Sequence, residues 1–136
     1  MQLKSPKNCL TFNVQKAARA LSRDMDAIFA PLGLTAPQFS ILNLLAGNAP
    51  IRISDLADLS GTDRTTMTRN IGILMRLKLV KHVAEEDKRA RALDITKTGN
   101  ARLREALPLW EAQQKRTVSR LSQTDSEILL RILSTI

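Results

Sequence analysis

Tyrosine is absent from this chain, and tryptophan, cysteine and histidine occur once each. Aromatics make up 3% of the residues. That is too few for the stacking platforms on which proteins that bind single strands hold bases, so this class of partner is disfavoured. One cysteine closes no disulfide within the chain, and a reducing cytoplasm is the simple reading. One imidazole, His82, with Glu85 and Glu86 nearby, is poor zinc ligation, and no metal or cofactor is expected. No apolar run approaches the roughly 20 residues that span a bilayer. The N-terminus MQLKSPKNCL has no apolar stretch of signal-peptide type, so neither a membrane partner nor export is expected. There is no glycine-rich phosphate loop, no nucleophile elbow and no Cys/His pair beyond the distant Cys9 and His82. An enzyme is therefore not expected.

What the chain does have is apolar residues and positive charge. At 136 residues and 43% hydrophobic content, it can bury a real core within a single domain, residues 1–136. The formal charge is +8, with a pI near 10.4, which favours polyanion partners, DNA above all. The excess is spread along the chain. Residues 1–35 hold five cations against two acids, residues 36–96 nine against seven, and residues 97–136 seven against four. Order within 36–96 matters more than the total: Asp55 and Asp58 come first, then Arg64, Arg69, Arg76, Lys78 and Lys81.

Hydrophobic spacing divides the chain into helices. Leu10, Val14, Ala17, Ala18, Leu21, Met25, Ile28 and Phe29 recur at three and four, predicting a helix over 8–30 that ends at Pro31 and Gly33. Thr35 and Gln38 form a capping box for a helix over about 36–46, broken at 47–50. Ile51-Arg52-Ile53 alternates like a short strand, and Ser54 can cap a helix over 55–60. Ser60-Gly61-Thr62 is a turn, and Asp63 caps a helix over 64–77 with Met67, Ile71, Leu74 and Leu77 inward. Residues 79–83 and 90–95 read as strands joined by a charged turn. Thr96 caps a long helix over 97–121, with Leu103, Leu107, Trp110, Gln114, Val118 and Leu121 inward and a kink expected at Pro108. A last helix over 123–135 carries Ile128, Leu129, Ile132 and Leu133. The fold class is mainly α with a small β-hairpin wing: a winged helix-turn-helix module over 36–96, flanked by helical segments at 8–33 and 97–136. The flanking helices retain apolar surface, so a second copy of the chain, in a two-fold homodimer, is the natural partner.

The helix start at Asp63 offers free backbone N–H groups to a phosphate and exposed first turns to the major groove. Arg69 has the planar fork for guanine. Thr65, Thr66 and Thr68 suit base or phosphate contacts, and Arg64 suits phosphate. Arg89 at the hairpin tip fits a narrow minor groove, with Lys88 at flanking phosphates. For Arg91, DNA contact and a solvated strand residue are equally good readings. A non-specific architectural DNA binder and a winged-helix protein-interaction module remain open.

These residues carry a resemblance to a known family. Leu34-Thr35 with Gln38-Phe39, Asp55-Leu56-Ala57, and Asp63-Arg64-Thr65-Thr66-Met67-Thr68-Arg69 resemble the MarR-type (multiple antibiotic resistance regulator) transcriptional repressors. The most specific piece is Asp87-Lys88-Arg89 followed by Leu93-Asp94-Ile95-Thr96-Lys97-Thr98-Gly99, which is similar to the D-x-R…L-T-x-x-G wing signature. The resemblance implies a homodimer formed by the terminal helices on a pseudo-palindromic operator, with helix 64–77 in the major groove and Arg89 in the minor groove. It also implies release by a small aromatic effector or an oxidant at the junction of the dimer helices and the DNA module. Phe12, Phe39 and Trp110 are placed to line such a pocket, although aromatics at helical spacing are commonly core. Cys9 lies near the start of the first helix, where thiols gain reactivity. Peroxide-sensing members resemble it there but use tyrosines, which this chain lacks; an inter-subunit disulfide, a lone oxidisable thiol and an inert residue all remain open. Lys78 departs from the family, which usually has glycine there, and a left-handed residue at that point would cost about 1 kcal/mol.

Overall fold

In the computed structural model, which describes residues 5–84 and 91–136, the capping residues start helices where their chemistry requires. Thr35 Oγ1 accepts from the Gln38 N–H at 3.4 Å, and Gln38 Oε1 accepts from the Thr35 N–H at 3.1 Å. Two orphan donors of the first turn are thereby satisfied. This opens α2, Ala36–Asn48. Asp26, near the end of α1 (Leu10–Phe29), accepts from the Ala36 N–H at 2.7 Å and pins the two helices together. Helix α2 runs two residues past the expected break, and the Asn48 amide closes it by donating to the Leu44 carbonyl.

The short strand β1, Ile51–Arg52, passes directly into α3, Ile53–Ser60. The expected cap at Ser54 is not used: Arg52 is the cap residue, and Ser54 lies inside the helix. Pairing of Ile51 with Leu93 and of Arg52 with Ala92 fixes the chain up to the helix start and leaves no room for a separate cap. Gly61, at φ 66°, makes the left-handed turn out of α3. Asp63 then caps α4, Arg64–Arg76. Strands β2 (Val80–Ala84) and β3 (Arg91–Ile95) complete an antiparallel sheet in the order β1-β3-β2. The long α5, Lys97–Val118, continues through Pro108, and α6 covers Gln123–Leu133.

The core sits under α4. Phe29, Leu42, Leu45, Leu56, Met67, Leu74, Leu79 and Leu93 are fully buried. Each such side chain contributes about 1.5–3 kcal/mol relative to exposure. Two inward assignments are corrected. Leu77, past the last helical residue of α4, is 45% exposed. Along α5 the buried line is Leu103, Ala106 and Gln113, while Gln114, Val118 and Leu121 face out. Gln113 is satisfied there by the Arg116 guanidinium, which donates to its Oε1 through Nε and a terminal nitrogen at 3.1 and 2.7 Å.

Lys78 adopts φ 59°, the left-handed conformation expected from its place after α4. The Leu79 N–H donates to the Leu74 carbonyl and the Lys78 N–H to the Met75 carbonyl, both at 2.9 Å, which is the paired closure of a Schellman end. The next contacts bind this exit to the start of α5. Thr96 Oγ1 donates to the Lys78 carbonyl at 2.7 Å and accepts from the Gly99 N–H at 2.9 Å, and the Thr96 N–H donates to the Leu79 carbonyl at 3.0 Å. The packing is so close that a Cβ on Gly99 would stand 2.1 Å from the Leu79 oxygen. Relief of the Lys78 conformation gives a direct prediction. Lys78→Gly raises stability by about 0.5–1 kcal/mol, the left-handed penalty less the extra unfolded-state entropy of glycine. In thermal denaturation this is a rise of a few degrees, and an unchanged or lower Tm would contradict it.

Candidate nucleic-acid interface

Asp63 organises the exposed end of α4. Its carboxylate accepts from the Thr66 N–H at 2.8 Å through one oxygen and from the Thr66 hydroxyl at 2.8 Å through the other. The Thr66 backbone N–H, then its hydroxyl, hold the Asp63 carboxyl below the usual carboxylate range. The charged cap is therefore fully present above that range and is lost only as pH falls through the lowered folded value. Thr66 is committed to this cap and is half-buried, so its side chain turns away from the outer surface.

Met67, Ile71 and Leu74 anchor one side of α4 in the core. At 3.6 residues per turn, Thr65, Arg69, Gly72 and Arg76 fall on the opposite side. Arg64, Thr65, Thr68 and Arg69 are exposed and together line one open hollow of about 510 Å³. Four of the five candidates on this helix thus share a surface, with Thr66 supporting it from behind. Arg91, at the start of β3 opposite Ala84, is exposed. Lys88 and Arg89 lie outside the described residues, as do Glu85 and Glu86. Arg76 and Gly72 belong to the same outward face but were not singled out from sequence. Arg76 is seven residues beyond Arg69, two helical turns, and that interval was the available signal.

The three aromatic candidates do not meet. Phe39 is 3% exposed and stacks between Phe29, at a ring distance of 4.5 Å, and Trp110, at 6.3 Å. Phe12 lies on the exposed first half of α1, seventeen residues before Phe29 and so about 25 Å along the helix. Phe39 serves the core, and the set does not form a single pocket. A cleft of about 310 Å³ opens elsewhere, where α1, α2 and the start of α4 meet; Ser22, Ser40, Thr62, Thr66, Met67 and Asn70 are among its walls. Cys9 is exposed at the cap of α1. His82 is exposed on β2, and among the described residues no three His, Cys, Asp or Glu side chains group as metal ligands. No single helix among the described residues is long and apolar enough to cross a membrane.

Comparison with known proteins places this geometry. The MarR family model matches residues 32–90. The M. tuberculosis transcriptional regulator MosR, in a complex with DNA, is 31% identical over 93% of this chain and 97% of its own, with a TM-score of 0.78. The chain belongs to the MarR family. The transcriptional repressor CouR bound to a 23-mer DNA duplex is 25% identical over 99% of this MarR-family chain and 96% of its own, with a TM-score of 0.88. A DNA complex of S. aureus MepR shares the fold at 18% identity, with coverage of 94% and 98% and a TM-score of 0.83. No curated protein sequence matches the chain. The helix-turn-helix of this MarR-family regulator is α3 and α4, and β2 and β3 are the two strands of its wing.

Proposed function

We propose that this MarR-family regulator is a cytoplasmic homodimer that binds a pseudo-palindromic operator and represses transcription by blocking it. The observation that carries the reading is the outward face of α4. A capped helix start presents Arg64, Thr65, Thr68 and Arg69 around one open surface, while Met67, Ile71 and Leu74 hold the helix rigidly to the core. Arg69 reads a base through its fork, Arg64 meets phosphate, and the threonine methyl and hydroxyl groups contact bases or backbone. Arg89 enters the adjacent minor groove, with Lys88 and Arg91 at flanking phosphates. Apolar side chains left exposed on α1, α5 and α6, among them Leu10, Leu21, Val118, Leu129 and Leu133, supply the face for a second copy.

Release by a small molecule is assigned to the cleft between α1, α2 and α4, in preference to the aromatic set. Its hydroxyl and amide groups, with Ile41 and Met67 as apolar walls, suit a small uncharged molecule that makes hydrogen bonds. A molecule bound there presses on Thr66 and hence on the Asp63 cap. Oxidation at the exposed Cys9 is the second route of release.

The test is selection of duplexes from a random-sequence pool, followed by gel shifts against shuffled DNA at fixed salt. The expected result is a pseudo-palindromic consensus bound at least about 1,000-fold more tightly than shuffled duplex. Equal affinity for both duplexes would instead make the protein an architectural binder. Failure to bind any duplex at low salt would make it a protein-interaction module.

A further inference from the structure

Glycine in the middle of a helix needs a reason, because it is among the poorest helix formers. In this chain the other glycines have one. Gly33 and Gly61 adopt left-handed conformations, Gly99 is pressed against the Leu79 carbonyl, and Gly47 stands one residue from the end of α2. Gly72 lies well inside α4 with no left-handed backbone. A Cβ built there meets only the Arg76 guanidinium, at 3.9 Å, an ordinary contact with the end of a flexible side chain. Nothing within the protein excludes a larger residue.

The position of Gly72 supplies the reason. It lies on the side of α4 opposite Met67, Ile71 and Leu74, with Thr68 and Arg69 one turn before it and Arg76 one turn after. Its missing side chain leaves a notch in the outward face, halfway between two arginines about 10.5 Å apart along the axis. That spacing is close to three base-pair steps. Arg76 folds back over the notch, as side chains on a helix lean toward its N-terminus.

We infer that Gly72 is a close-approach position, where a base-pair edge in the major groove packs against the backbone of α4, and that Arg76 extends the reading surface beyond Arg69. This rests on α4 being the DNA-reading helix. The occupant of the notch is a base edge because the middle of a helix lying in the groove is its point nearest the groove floor, whereas its ends meet phosphates.

The test uses the full-length protein and a duplex selected by the wild type from a random pool. Gly72→Ala is expected to raise the Tm by about 4 °C, because alanine favours the helix and fits the free protein. The same change is expected to lower affinity for the selected duplex about tenfold or more, the scale of one lost base contact. Affinity for shuffled duplex stays unchanged. Gly72→Leu loses more for the selected duplex while remaining folded. Arg76→Gln weakens the selected duplex more than the shuffled one. Gly72→Ala binding the selected duplex as tightly as wild type would overturn the inference, as would a fall in its Tm, which would assign Gly72 an internal role. A wild-type protein that selects no duplex would instead overturn the parent reading of α4.

Discussion

Arg69→Ala is expected to lower affinity for the selected operator by roughly 30- to 10,000-fold. One bidentate contact to guanine is worth about 1–3 kcal/mol of discrimination. A homodimer carries the change in both halves, so the loss is counted twice, and each 1.4 kcal/mol is about tenfold. Arg69 is exposed, and its substitution removes nothing from the core built on Met67, Ile71 and Leu74. Circular dichroism, the Tm and the sedimentation coefficient should all stay at wild-type values. Arg69→Lys divides the effect: charge is kept and the planar fork is lost, so shuffled DNA is bound almost as before while the operator preference falls. Unchanged operator affinity in Arg69→Ala would remove this residue from the reading surface.

The second large effect concerns assembly. The wild-type protein is expected to sediment at twice the 15.1 kDa of the chain at micromolar concentration. Ile128, Leu129, Leu130, Ile132 and Leu133 of α6 are between 41% and 68% exposed, which is unusual for five large apolar residues in one helix. At the other end of the fold, Leu10 and Val14 of α1 lie beside Ile136 around one groove. The double variant Leu129→Glu/Leu133→Glu places two carboxylates on this surface and should yield a folded monomer. Operator affinity then drops by about 1,000-fold or more, toward that of non-specific binding, because one module reads only one half-site. A wild-type protein that remains monomeric at micromolar concentration would sink the operator reading.

The parts of this molecule readable in advance are those decided within three or four residues. Thr35 with Gln38, Asp63 with Thr66, Thr96 with Gly99 and Ser122 with Asp125 each satisfy a helix end locally, and each is found where the sequence indicates. The parts that were not readable depend on partners distant in sequence. Ser54 lost its capping role because β1 pairs with a strand forty residues later. Leu77 and Gln114 fit a helical period, yet Leu77 lies beyond the helix end and Gln113 takes the inner place on α5. Aromatic rings gave the weakest guidance. Periodicity places Phe39 on an inward face but does not say whether that face meets a pocket or Phe29. At the reading helix, attention to charge found Arg69 and passed over Gly72, which contributes by what it lacks.

The junction of Lys78, Thr96 and Gly99 makes α5 a lever. The exit of α4 is hydrogen-bonded and packed against the first turn of α5 with no free residue between them. Any tilt of α5 is therefore delivered to the reading helix undamped. Twenty-two residues give α5 a length of about 33 Å. Rotating it by about 6° about its far end carries the near end through about 3.4 Å, the rise of one base pair. Two such levers, joined at a dimer face, work as a caliper whose opening is the distance between half-sites. A change too small to alter either reading surface can then put both out of step with the same operator.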